Sequence, residues 1–162
     1  MKVELKERTE HHVRTYFEKV QDAQIQAMLP QSAATVEQAL ENYRKTLLPN
    51  TTSYGRTICV DGVYAGDIWC YCIDHDEEPN AMLSYCLFEK NLWGKGITTE
   101  VLRQFLADVV PRFGLRSVGA FTYSANAPSI RVLLKNDFAE VEAFMEDGVL
   151  SKYLQKNTED ML

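Results

Sequence analysis

The stretch Asn91-Leu92-Trp93-Gly94-Lys95-Gly96-Ile97-Thr98-Thr99-Glu100 constrains the chain more than any other. A strand-like run, Met82 to Phe88, leads into it. A helix follows, with Ile97, Val101, Leu102, Phe105, Leu106 and Val109 at helical spacing and Arg103, Gln104 and Asp108 opposite. Two glycines flank a lysine at the turn between them. Glycine adopts φ > 0 and lets backbone approach a ligand at little cost. The helix N-terminus adds unpaired N–H groups and the positive end of a dipole. Together these predict a pocket for phosphate oxygens. A ligand-free strand-to-helix loop is the other reading of the same residues. The Gly-x-x-x-x-Gly-Lys-Ser/Thr spacing of a Walker loop is absent, and Thr99 stands where Gly-x-Gly-x-x-Gly would need its third glycine.

Around this turn the chain alternates types of periodicity. Residues 2–8 read as a strand. Thr9 is placed to cap a helix across His11–Leu29 that packs through Val13, Phe17, Val20, Ile25 and Met28 and stops at Pro30. His11 and His12 are adjacent, so they point apart on a helix and suit a surface rather than a metal. Thr35 opens a second helix with Val36, Leu40, Tyr43 and Leu47 on one face, closed by Pro49-Asn50. Tyr54–Val60 and Val63–Ile73 read as strands joined by the Asp61-Gly62 turn. Residues 74–80 form an acidic loop, read as a solvated hairpin tip. Residues 81–88 form the strand before the glycine turn.

The helix after Gly96 is predicted to end at Pro111 and Gly114. Leu115–Tyr123 reads as a strand, and Asn126 as the cap of a helix whose Pro128 fits a first turn. Ile130, Leu133 and Leu134 are predicted to face inward. Phe138–Met145 and Val149–Leu154 make a closing hairpin, and the polar tail Gln155–Leu162 is predicted to fray. No internal repeat, low-complexity segment or linker interrupts the order, so residues 1–162 are one mixed α/β (α+β) domain.

Composition narrows the function classes. The net charge of −6 disfavours nucleic-acid binding. No apolar run reaches the roughly 20 residues that span a membrane. The charged N-terminus lacks the apolar core of a signal peptide, so a cytoplasmic protein is expected. The four cysteines (Cys59, Cys70, Cys72, Cys86) lie in strand-like runs without metal-finger spacing. Buried reduced thiols and no metal site are therefore expected.

Two motifs in register give the chain a recognisable signature. The first, Gln/Arg-x-x-Gly-x-Gly/Ala, is present as Asn91-Leu92-Trp93-Gly94-Lys95-Gly96. The second, Asn-x-x-Ser-x-x-Val-Leu-x-Lys-x-Gly-Phe, is present from Asn126 to Phe138 as Asn126-Ala127-Pro128-Ser129-Ile130-Arg131-Val132-Leu133-Leu134-Lys135-Asn136-Asp137-Phe138. By these, their separation and the element order, the chain resembles the GNAT superfamily of N-acetyltransferases, in its RimJ/RimL-like group, across residues 2–155. The resemblance implies a mostly antiparallel central sheet of about six to seven strands flanked by about four helices. It implies acetyl-CoA as co-substrate and an amine acceptor, a protein N-terminus or a small molecule, handled by a monomer or homodimer. The pyrophosphate would rest on the backbone of Trp93, Gly94, Lys95, Gly96, Ile97 and Thr98. The pantetheine would run beside Leu87 and Phe88 as an added strand would, with Asn126 and Ser129 near it.

The sequence departs from the family pattern in places. Asn91 replaces the usual Gln/Arg, leaving Lys95 to supply charge, and Asp137 replaces a glycine at the helix end. Leu133 stands where many relatives carry a tyrosine that protonates the leaving thiolate, and Met82 where some carry a carboxylate. Ser129 is then the first candidate acid by resemblance, with Tyr85, Tyr123 and Tyr153 as alternatives by residue type. Glu89 reads as solvated and Cys86 as a buried strand thiol. Trp69 and Tyr71 share a face of one strand and read first as packing residues. An acyl-CoA sensor or silent relative is the competing function, kept in play by the apolar Leu133 and Met82.

Overall fold

The computed structural model describes residues 1–162. Its seven strands are β1 (Val3–Lys6), β2 (Tyr54–Val60), β3 (Val63–Asp74), β4 (Asn80–Leu87), β5 (Ser117–Tyr123), β6 (Ala139–Glu146) and β7 (Val149–Asn157). They form one sheet in the order β1-β2-β3-β4-β5-β7-β6. Every neighbouring pair is antiparallel except β4–β5. The helices are α1 (Glu10–Lys19), α2 (Ala23–Met28), α3 (Val36–Lys45), α4 (Ile97–Phe113) and α5 (Ala127–Lys135). None is long and apolar enough to cross a membrane.

The sheet is buried on both sides. Ile68, Leu83 and Leu87 join Val101, Leu102, Phe105 and Leu133 in the main core, under α4 and α5. On the opposite face Cys86 and Phe88 pack with Val20 and Ile25 from the α1–α2 region. Strand alternation puts Asp67 and Trp69, which pair with Cys86 and Ser84, on that second face.

Several expectations meet corrections. The predicted helix His11–Leu29 is two helices, because the Asp22 carboxylate accepts from the Gln24 and Ile25 amides and starts a new one. Five helices thus flank the sheet, where about four were expected. Pro111 does not end α4; it lies inside the last turn, and Gly114 at φ 61° ends the helix while the Leu115 amide returns to the Val110 carbonyl. Leu47 and Leu134, expected inward, are exposed. Cys72, expected buried, is exposed at a positive φ beside the bulge between Tyr71 and Asp74. The tail does not fray at Gln155: β7 pairs with β5 out to Asn157, and Thr158 is fully buried with its hydroxyl on the Leu115 carbonyl.

One feature of the sheet positions the site. The parallel β4–β5 pairing covers only Asn80, Ala81 and Met82 against Ser117, Val118 and Gly119. Beyond that point β5 continues with β7 alone and β4 with β3 alone. The edge of β4 from Leu83 to Leu87 is left facing an open wedge. Unpaired strand groups there require another partner.

Candidate active site

The wedge ends at the glycine turn. Gly94 and Gly96 have φ of 75° and 77°, and a Cβ on either would meet nothing within 4 Å. Backbone angle, not crowding, calls for glycine at both. A single 3-10 turn over Lys90–Leu92 precedes them. The Trp93 amide closes this turn on the Lys90 carbonyl at 3.1 Å, so it is withdrawn from the cradle that the sequence predicted for it. The Trp93 indole N–H donates to the Leu87 carbonyl at 2.7 Å. From Gly94 through Thr99, six consecutive amides donate to no acceptor in the chain. The last three open α4, where no earlier helical carbonyl is available. The run of unpaired amides therefore starts one residue after the beginning of the predicted cradle and extends to Thr99.

A cleft of about 440 Å³ runs across the wedge from this loop and α5 to α2. Of the residues the sequence singles out, Leu87, Trp93, Gly94, Gly96, Ile97, Thr98, Asn126 and Ser129 line it. Lys95 and Phe88 do not. The Lys95 side chain is outside the lining, and Arg131 and Lys135 of α5 supply the cations instead. Their i, i+4 spacing placed them on one helical face, a signal that was open to reading. Phe88 is buried among Tyr16 and Tyr64 on the other face of the sheet, its amide on the Ala65 carbonyl at 2.9 Å. The Asn126 side chain accepts from the Ser129 amide at 3.3 Å, so it caps α5 at the cleft mouth.

The chemistry-bearing groups separate clearly. Tyr85 on β4 and Ser129 on α5 bring their hydroxyls to 2.9 Å across the wedge. Burial pushes the Tyr85 phenol up to about 12, offset in part by its bond to Ser129. It stays protonated at neutral pH and is suited to donate. Tyr123 and Tyr153 line no part of the cleft; Tyr153 lies over Gly119 and against Phe121. Burial pushes the Cys86 thiol up to about 11, which leaves little thiolate. Glu89 pairs with Lys19 at 3.7 Å near solvent.

A second cleft, about 820 Å³, lies on the opposite face between α1, α3 and the strands. It meets the first only at Leu29 and Ser84. Trp69 and Tyr71, read first as packing, are half-buried in its wall. On its floor is Asp67, 2% exposed, accepting from the Tyr64 hydroxyl at 2.6 Å. Burial pushes its carboxyl up to about 6, against the opposing pull of Arg8 and Tyr64. Sequence reading passed over Asp67, although an acid inside the apolar run from Ala65 to Ile73 was the signal.

The acetyltransferase (GNAT) domain family matches residues 2–139. A search among curated protein sequences gives no match. Among solved structures, the chain is similar to aminoglycoside acetyltransferase AAC(6')-Ib in complex with coenzyme A, at 18% identity and a TM-score of 0.79, covering 96% of this chain and 95% of that one. It is similar to RimL, the ribosomal L7/L12 alpha-N-protein acetyltransferase, at 20% identity and 0.79, covering 96% and 90%. It is also similar to spermidine N-acetyltransferase from Vibrio cholerae in complex with CoA and spermine, at 12% and 0.84, covering 98% and 97%. These likenesses establish a shared fold across nearly the whole of each chain. The family match, which spans the glycine turn, the wedge and both motifs, goes further: the chain belongs to the GNAT acetyltransferases.

Proposed function

We propose that the chain moves an acetyl group from acetyl-CoA to a primary amine, of a protein N-terminus or a small molecule, by direct attack in a ternary complex. One observation carries this reading: the edge of β4 over Leu83–Leu87, which no strand pairs and of which the Trp93 indole takes only the Leu87 carbonyl, leads into six unpaired amides, Gly94–Thr99. The donor set fits acetyl-CoA. Anionic phosphates suit the amides at the start of α4, with Arg131 and Lys135 beside them. A pantetheine arm carries amides of its own, which suit the open edge of β4 as an added strand would.

When bound, acetyl-CoA supplies an activated acyl thioester. The chain's own residues orient and polarise it. An unpaired N–H of the β4 edge is placed to stabilise negative charge as it develops on the acyl oxygen. In this reading Ser129 protonates the departing sulfur, Tyr85 passes its own proton on through their hydrogen bond, and the proton given up by the attacking ammonium restores the pair. The amine enters from the second cleft, where that cleft meets the first at Ser84. Asp67 faces that cleft as a carboxylate that can hold the incoming ammonium and take its proton, freeing the lone pair that attacks. Holding both reactants in one crossing supplies much of the acceleration.

The reading extends to a cytoplasmic enzyme, monomeric or homodimeric. Its four cysteines are free thiols, as a reducing compartment requires. The test is release of free thiol from acetyl-CoA, followed with and without a panel of amines. Release that depends on an added amine is expected. Acetyl-CoA binding with no turnover against any amine would replace this reading with that of an acyl-CoA sensor.

A further inference from the structure

The second cleft contains a cation that the fold pairs only loosely, 3.8 Å from the Asp67 carboxylate. The Arg8 side chain is only 16% exposed. Its guanidinium donates no hydrogen bond to any group in the chain: the Nε is buried without a partner, and the nearest anion, Asp67 Oδ2, is 3.8 Å from Nη1. Removing guanidinium donors from water without pairing them is costly. The placement is nevertheless built. The Tyr43 ring lies 5.6 Å from Cζ, and the Tyr43 hydroxyl bonds the Arg8 carbonyl at 2.9 Å. On β2, Gly55 leaves the seat clear: a Cβ there would come within 2.9 Å of both Cζ and Nη2. The Tyr16 hydroxyl is a second buried group without a partner in the same cleft.

Charge narrows the ligand. Of the residues lining the cleft, Arg8 and Lys45 are cationic and Asp67 alone is anionic. The wall offers a polycation one carboxylate for its several ammonium groups, and Lys45 is already paired with Glu41 at 3.7 Å. A group with one ammonium and one oxygen acceptor close to it would satisfy both partners. The ammonium faces Asp67, and the neighbouring oxygen faces Arg8 only 3.8 Å away.

We propose that Arg8, seated over Gly55 beside Asp67, selects acceptors whose amine stands next to a carboxylate or carbonyl oxygen, over polyamines and aminosugars. Such acceptors are α-amino acids and the first residue of a peptide. This rests on the proposed transfer reaction and names the acceptor class of the same site.

The experiment measures thiol release from acetyl-CoA by the full chain with leucine, leucinamide, a leucine-initiated dipeptide, isoamylamine and spermidine. Isoamylamine has the apolar side chain and amine of leucine without the oxygen acceptor. The expected result is a kcat/KM at least about tenfold higher for the best oxygen-bearing acceptor than for isoamylamine or spermidine, the gain residing in KM. Preference for leucine identifies a free carboxylate, and preference for leucinamide and the dipeptide identifies a carbonyl. Arg8→Met should collapse the tenfold ratio toward unity. Gly55→Ala should do the same by displacing the flexible guanidinium while keeping its charge, which guards against a folding defect in the first variant. Calorimetry with acetyl-CoA should give one Kd for all three proteins.

Preference for isoamylamine or spermidine, or a ratio unchanged in both variants, overturns this inference and leaves acetyl transfer standing. Thiol release with none of the amines overturns both.

Discussion

At the scale of single residues, the proposed chemistry falls to two hydroxyls and one carboxylate. Tyr85 and Ser129 come from elements 44 positions apart and meet at 2.9 Å. Tyr85→Phe is expected to lower kcat by about a hundredfold, in the range of a lost proton donor, when thiol release is followed at saturating acetyl-CoA. Ser129 could be read from its motif; Tyr85 could not be singled out from Tyr123 and Tyr153, because only the packing of α5 against β4 brings it to the serine. Asp67 was legible as an anomaly without a role. Its carboxyl, pushed up to about 6 from an ordinary value near 4, is easier to protonate folded than unfolded. Stability from this group is fully present below about pH 4 and is lost as pH rises through about 6. The loss amounts to about 3 kcal/mol for a shift of this size. Denaturant midpoints measured across that window should decline in the wild-type chain. In Asp67→Asn this part of the decline should be absent.

At the scale of elements, the strong patterns were read correctly and the errors cluster where a side chain or a tertiary partner overrides local preference. The amphipathic stripe of α4 and the hairpin at Asp61-Gly62 follow from spacing alone. The split between α1 and α2 depends on Asp22 turning its carboxylate onto two amides, which competes with helix continuation. The cradle boundary depends on the Trp93 amide turning back to Lys90. The C-terminal tail looked polar enough to fray. Yet the Thr158 amide bonds the Arg116 carbonyl at 2.9 Å and Met161 packs against the main core. Deleting residues 158–162 should therefore lower stability by about 1–3 kcal/mol in equilibrium unfolding, where a frayed tail would leave it unchanged.

At the scale of the whole molecule, two half-sheets meet at three residue pairs between β4 and β5. An occupant of the wedge that bonds the edge of β4 ties the halves together. Binding to the folded chain alone stabilises it by about 2.7 kcal/mol at a ligand concentration one hundred times Kd. With acetyl-CoA, amide hydrogen exchange should slow at Leu83–Leu87 and at Gly94–Thr99, leaving β1 and β2 unchanged. Uniform protection across all seven strands would instead mean that the wedge is not the seat.

The two clefts border each other at Leu29 and Ser84 and nowhere else. Mutations around Gly55, Arg8 and Trp69 can redraw what is modified while the machinery for the nucleotide is inherited intact. If Arg8 chooses the acceptor as proposed, a single methyl group at Gly55 displaces it and relaxes that choice without touching the other face of the sheet.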